Sequence, residues 1–183
     1  WCFDPVANSW SAKATFPGDA RQAAVAFAID IMGYITTGTS GNPTTMNDLW
    51  EYNSVTDSWS QKTAFPGTMR HYACGFAIGS KGYLGTGQSS GGATLLNDFW
   101  AYNAITDSWN QIASLPGSTR REASAFSIGN LGYAGMGSGF GVYYSDFYEY
   151  NPATNNWTLK SPFGGGVREE ATQFSIGSFG YVG

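Results

Sequence analysis

WEYNSVTDSW, residues 50–59, is the stretch that decides the architecture of this chain, because it keeps coming back. The same aromatic-tyrosine-turn-tryptophan phrase reads WCFDPVANSW at 1–10, WAYNAITDSW at 100–109 and YEYNPATNNW at 148–157. Its closing tryptophans, Trp10, Trp59, Trp109 and Trp157, stand 49, 50 and 48 residues apart. A fixed period of that size marks a solenoid, a propeller or an array, in which each repeat is one supersecondary unit that needs its neighbours.

The rest of the period recurs in step. Each tryptophan is followed by a glycine corner: Phe16-Pro17-Gly18, Phe65-Pro66-Gly67, Leu115-Pro116-Gly117 and Phe163-Gly164-Gly165. Three residues beyond each corner stands an arginine (Arg21, Arg70, Arg120, Arg168), and six further on a phenylalanine (Phe27, Phe76, Phe126, Phe174). Gly-Tyr pairs follow at 33–34, 82–83, 132–133 and 180–181, and Asp48, Asp98 and Asp146 precede the next aromatic phrase.

Within one period the patterning is that of strands. Tyr72 to Ile78 alternates Ala73, Gly75 and Ala77 with Cys74, Phe76 and Ile78, and Ala24, Ala26 and Ala28 alternate with Val25, Phe27 and Ile29. Period two is the strand signal, and a face of small residues lets a neighbouring sheet come close. Gly79-Ser80-Lys81 reads as a hairpin into a second strand at Gly82-Tyr83-Leu84. A third strand is expected at Phe99 to Asn103 and a fourth at Trp109 to Ala113, with turn chemistry at 103–107 between them. No stretch carries a 3.6-residue apolar period between its glycine and proline corners. Four antiparallel strands per period make a propeller blade, so the fold class is an all-β propeller.

Composition agrees. Charged residues are 12% of the 183, against about 25% in an average domain, while aromatics reach 16% and glycines number 25. A net charge of -4 excludes a nucleic-acid partner, because phosphate binding needs clustered Lys and Arg. Nothing approaches the run of apolar residues that a membrane helix requires, so no membrane insertion is expected. Cys2 and Cys74 fall in different copies at different phases, and both are expected to be buried, unlinked thiols.

The order Arg…Phe…Gly-Tyr…Gly, then Asp-aromatic-Trp/Tyr-x-Tyr-Asn, a turn and Trp, resembles the kelch repeat of galactose-oxidase-like propellers, most closely in SDFYEYNPATNNW at 145–157. The resemblance runs over essentially the whole chain. One departure is the Gly85-Thr86-Gly87 or Gly135-Met136-Gly137 corner, where that family usually shows adjacent glycines. In blade terms, residues 1–13 supply strands three and four of a split blade. Residues 20–63, 69–114 and 119–161 form complete blades, and 167–183 supply strands one and two of the last. About four blade equivalents result. Kelch rings usually hold five to eight, so the resemblance implies a segment of a larger propeller or a ring completed by other copies of the chain.

Function should lie in what does not repeat. The loops between strands two and three, 38–47, 87–97 and 137–145, differ in sequence, and the last offers Phe140, Tyr143 and Tyr144 for stacking on a sugar or docking a protein. The resemblance places Arg21, Arg70, Arg120 and Arg168 at the funnel mouth, where kelch arginines bind acidic groups of partners; pairing with a carboxylate of their own blade is the alternative. Beside them stand His71, Tyr72, Arg121 and Glu122. The repeated aspartates are expected to fix turns, and the repeated tryptophans and tyrosines to pack blades.

With one histidine, the chain is poorly supplied for a histidine metal site or a Ser-His-Asp arrangement. No metal and no cofactor is expected. The reading is a non-catalytic scaffold that binds a protein or glycan ligand, bacterial and secreted or at the cell surface. The alternative, implied by the resemblance, is a sugar-modifying enzyme of the sialic-acid mutarotase type, using Arg with Glu122, Glu169 or Glu170 for proton transfer.

Overall fold

The protein is described here by a computed structural model that covers residues 1–41 and 44–183; Asn42 and Pro43 of the first variable loop lie outside the described residues. Three four-stranded antiparallel sheets follow one another along the chain. The first comprises Val25–Ile29, Met32–Thr36, Leu49–Asn53 and Ser58–Lys62. The second comprises Cys74–Ile78, Lys81–Gly85, Phe99–Asn103 and Ser108–Ile112, and the third Ser124–Ile128, Leu131–Gly135, Phe147–Asn151 and Asn156–Lys160. Two-stranded pairs flank them, Cys2–Asp4 with Ser9–Ser11 and Gln173–Ile176 with Phe179–Val182. Within each sheet the strands pair in sequence order, which is the arrangement of a propeller blade. No helix among the described residues is long and apolar enough to cross a membrane.

The hairpins follow from local chemistry. Asn8, Asp57, Asp107 and Asn155 all sit near φ +50° at the tight turn between strands three and four. Asn and Asp are the non-glycine residues that tolerate the left-handed region best. Asp57 and Asp107 then do more: the Tyr52 and Tyr102 hydroxyls donate to them at 2.7 and 2.8 Å, as Tyr150 does to Asn155 at 2.9 Å.

These same turns fasten each blade to the one before. The N–H of Ala14 donates to Asp57, that of Thr63 to Asp107 and that of Ala113 to Asn155, at 2.8, 2.9 and 2.9 Å. The carbonyls of the same three residues accept from the indoles of Trp59, Trp109 and Trp157 at 3.0, 2.9 and 2.9 Å. One backbone residue of the preceding blade is thus held by both of its polar groups. The repeated tryptophans join blades, and they do so by hydrogen bonding as well as by packing.

The apolar interface between blades is a plug and a socket. Val25, Phe27 and Ile29 are buried against the second sheet, and a Cβ added to Gly82 would lie 2.1 Å from the Phe27 ring. Phe76 fills the same place over Gly132, and Phe126 over Gly180, each 2.2 Å from such a Cβ. Only glycine leaves room for the ring, and burying a phenylalanine stabilises by about 2–3 kcal/mol. The period-two alternation therefore does what its small face predicted. Val25 likewise stands where a Cβ on Gly75 would be.

The two cysteines part company. Cys74 is buried, while Cys2 is exposed on a two-stranded pair with no strands one and two beside it. Its expected burial is corrected: the Cys2 thiol is exposed.

Candidate binding site at the channel mouth

The first strands of successive sheets line a common central groove, whose wall includes Ala26, Gly75, Ala125 and Ser175. The repeated arginines stand just before these strands, at the mouth of the groove. Three of the four take the second of their two expected roles, pairing with a carboxylate of their own blade, and their place among the ligand-binding residues is corrected accordingly. Arg21, Arg70 and Arg120 each form a two-pronged pair with an aspartate of their own blade, Asp48, Asp98 and Asp146, at 2.6–2.8 Å. Each also donates to the carbonyl of Thr37, Thr86 or Met136. The Arg70 and Arg120 side chains are wholly buried, so no ligand reaches them. The fork of the guanidinium matches a carboxylate, and a buried charge needs such a partner.

The aspartates are corrected with them: their first task is this ion pair, not the loop turn. Their second is to accept the Trp50 and Trp100 indoles at 2.7 Å. The arginine holds the carboxyls of Asp48 and Asp98 below the usual range against the opposing effect of burial, which is the largest single influence on them.

Tyr144 is also withdrawn from the exposed aromatics. Arg21, Arg70 and Arg168 lie over the rings of Phe16, Phe65 and Phe163. The third corner has Leu115 in that position, and Tyr144 supplies the missing ring, 4.6 Å from the Arg120 guanidinium. Phe140 and Tyr143 keep their expected exposure, at 63% and 51%. Arg168 donates to the Gly165 carbonyl, and its buried Nε has no partner among the described residues.

What remains at the mouth is the set of residues that follow each arginine. Ala23, Tyr72, Glu122 and Glu170 are all left-handed, with φ between 52° and 57°. For a tyrosine or glutamate that conformation costs of order 1–3 kcal/mol. It is held by backbone bonds that run from blade to blade: Tyr72 N–H to the Ala23 carbonyl, Glu122 to Tyr72, and Glu170 to Glu122. A fixed collar results, and it presents non-repeated side chains: Gln22, His71, Arg121 and Glu169 alternate with Tyr72 and Glu122.

Two features are built on the collar. A cavity of about 210 Å³ lies between the first and second blades, lined by Gln22, Thr39, Thr45, His71, Tyr72 and Gly91 among others. His71 Nδ1 is buried there without a partner among the described residues, and burial, then the Arg121 charge, pushes its pKa down. Beyond it, Arg121 reaches Gln88 at 3.0 Å, lies over the Tyr72 ring and pairs with Glu122 at 3.5 Å. Glu122 accepts from Ser138 at 3.3 Å and shares a hydrogen bond with Glu169. Burial first, and then Glu169, push the Glu122 carboxyl up to about 7, while the same bond lowers Glu169. The two neighbouring carboxyls are thus pushed apart in acidity.

Comparison with known proteins bears on this architecture. The family model described as the KLHDC2/KLHL20/DRC7 Kelch-repeats domain matches residues 1–177. The chain belongs to the kelch-repeat family. Among solved structures, one titled "Structure of YjhT" superposes on this kelch chain with a TM-score of 0.76 at 17% identity, over 90% of the chain. The chain spans 59% of the length of that protein. No curated protein sequence matches.

The kelch assignment accounts for the arginines, the glycine sockets and the tryptophans. It does not account for the residues of the collar. The sequence points to His71, Tyr72, Arg121 and Glu122 there, and to Glu169 only for the enzymatic alternative, while Gln22, Gln88 and Ser138 are not among its site residues. The signal for Gln22 and Glu169 was available: they occupy the phase immediately after the arginine, where all four copies differ.

Proposed function

We propose that this kelch propeller is a binding scaffold whose mouth takes a protein or glycan ligand, and that it performs no chemistry on it. One observation carries the reading: the side chains that repeat face inward to hold blades, while those that differ between copies converge on the collar. The exposed rings of Phe140 and Tyr143 offer flat apolar area beside that polar collar, the mixture that suits a sugar ring or a peptide. A bacterial protein that is secreted or displayed at the cell surface would meet such ligands. Glycan and peptide arrays test this. A hit that weakens at least about tenfold in Phe140→Ala or Arg121→Ala, with unchanged melting, is expected. A hit indifferent to both substitutions would remove the site from the mouth.

A second reading has its own observation. A carboxyl raised to about 7 beside an arginine is equipped for general acid–base work near neutral pH, as in the sialic-acid mutarotase alternative. NMR of sialic acid anomers with the protein present discriminates. Accelerated exchange that disappears in Glu122→Gln would establish the enzyme and overturn the scaffold; exchange at the spontaneous rate supports binding alone.

A further inference from the structure

The cavity between the first and second blades exists because two short side chains meet there. At the next boundary Arg121 crosses to Gln88 at 3.0 Å and spans the gap. His71 and Thr39 occupy the same phases one blade earlier, and the Thr39 hydroxyl is turned to its own loop, donating to the Gly41 or Thr44 carbonyl at 2.9 or 2.6 Å. The His71 ring makes no hydrogen bond among the described residues, and its Nδ1 is buried. Buried polar atoms in native structures are paired with few exceptions, so this imidazole points to a partner from outside the chain.

The walls are set in advance. Gln22 and Thr39 exchange backbone hydrogen bonds at 2.9 and 3.0 Å on the first blade. On the second, His71 pairs with Gln88 through the backbone, and the Gln88 side chain donates to the Gly92 carbonyl at 2.8 Å. Tyr72 N–H ties the two blades together by donating to the Ala23 carbonyl at 3.1 Å. A site held this way spares its ligand the cost of ordering it.

The lining also selects. Neither a carboxylate nor a lysine or arginine is among the described lining residues, which supply an amide, two hydroxyls, the imidazole and the Tyr72 ring. An acid entering here would lose its water without gaining an opposite charge. Gly41 and Gly91 border the space with bare backbone, and a Cβ on either would meet nothing within 4 Å, so a ligand can approach the main chain closely. At about 210 Å³ the cavity is smaller than the roughly 300–1,000 Å³ of sites for drug-sized ligands, room for one small ring. Burial and the Arg121 charge keep the imidazole neutral at neutral pH, with one nitrogen to accept and one to donate.

We infer that this cavity holds the terminal, uncharged sugar residue of a glycan, whose hydroxyls bond the His71 imidazole and the Gln22 amide. The inference rests on the reading of the mouth as a ligand site and narrows it to neutral sugars. Because the chain has a single histidine, the imidazole nitrogens give an unambiguous NMR signal. Titration with methyl pyranosides of glucose, galactose, mannose and N-acetylglucosamine should move that signal saturably for at least one sugar, and sialic acid should leave it in place. His71→Phe keeps a ring and removes both nitrogens; it should weaken binding of that sugar at least about tenfold with unchanged melting. A signal that no sugar of the panel moves would overturn the inference and leave water as the occupant. So would a larger response to sialic acid than to neutral sugars, or equal binding by His71→Phe. An array ligand that weakens in Phe140→Ala but leaves the histidine signal unmoved would sink this pocket and keep the wider mouth. A sugar held at His71, with array binding indifferent to Phe140→Ala and Arg121→Ala, would keep the pocket and remove the rest.

Discussion

Arg120 and Arg121 are adjacent in the chain and belong to different parts of the molecule. Arg120 is wholly buried, forked onto Asp146, and has counterparts in every period. Arg121 is partly open, shares its charge among Gln88, Tyr72 and Glu122, and has Gln22, His71 and Glu169 in the same phase of the other copies. The first lies in the layer that turns a repeat into a rigid blade, the second in the collar that makes this propeller unlike another. A charge that recurs in phase with an opposite charge is a structural pair. One that changes from copy to copy is free for recognition.

The largest effect should come from damaging the first layer. Asp98→Ala leaves the buried Arg70 guanidinium without its carboxylate and should cost about 3–5 kcal/mol in urea unfolding; a loss under about 1 kcal/mol would erase the distinction. Next in size is Gly82→Val. Its Cβ competes with the Phe27 ring for one place, which should cost about 1–3 kcal/mol; a loss under about 0.5 kcal/mol would mean that the ring does not fill the socket. Trp109→Phe keeps a ring in the interface and hands the exposed Thr63 carbonyl to water, for a loss of about 0.5–1 kcal/mol.

The smallest effect belongs to the collar and is read through pH. The folded pKa of Glu122, about 7, lies above the ordinary 4.5. The native state therefore keeps a proton that the unfolded chain releases. The contribution of Glu122 is fully present below about 4.5 and is lost as pH rises through about 7. Glu169, shifted the other way, acts in the opposite sense on the acid side of its ordinary value. Melting of the wild type between pH 5 and about 8 should fall relative to Glu122→Gln; parallel curves would show that the Glu122 carboxyl is not raised.

How much of this was legible in the sequence varies with the range of the interaction. Strands and hairpins are written locally, in Ala-Val-Ala-Phe alternation and in Asp or Asn at the turns, and the structure places the third strand at Phe99–Asn103 as expected. The Arg–Asp pairs were half legible. Both residues repeat, but they stand 27, 28 and 26 positions apart, and only the fold shows that the gap closes within a blade. The Phe27–Gly82 contact, between different copies, has no local signature at all. Tyr144 shows the reverse: one exception in the corner, Leu115, is compensated by a loop residue that looked available for binding. The left-handed backbone of Tyr72 and Glu122 is equally unreadable, since it is imposed by hydrogen bonds from the next blade.

The separation of an inner, repeated layer from an outer, variable one is tested most directly by urea unfolding of two neighbouring substitutions, Arg120→Met and Arg121→Met, under one set of conditions. The expected result is a loss of about 3 kcal/mol or more for the first and less than about 1 kcal/mol for the second. Losses of equal size would contradict the account.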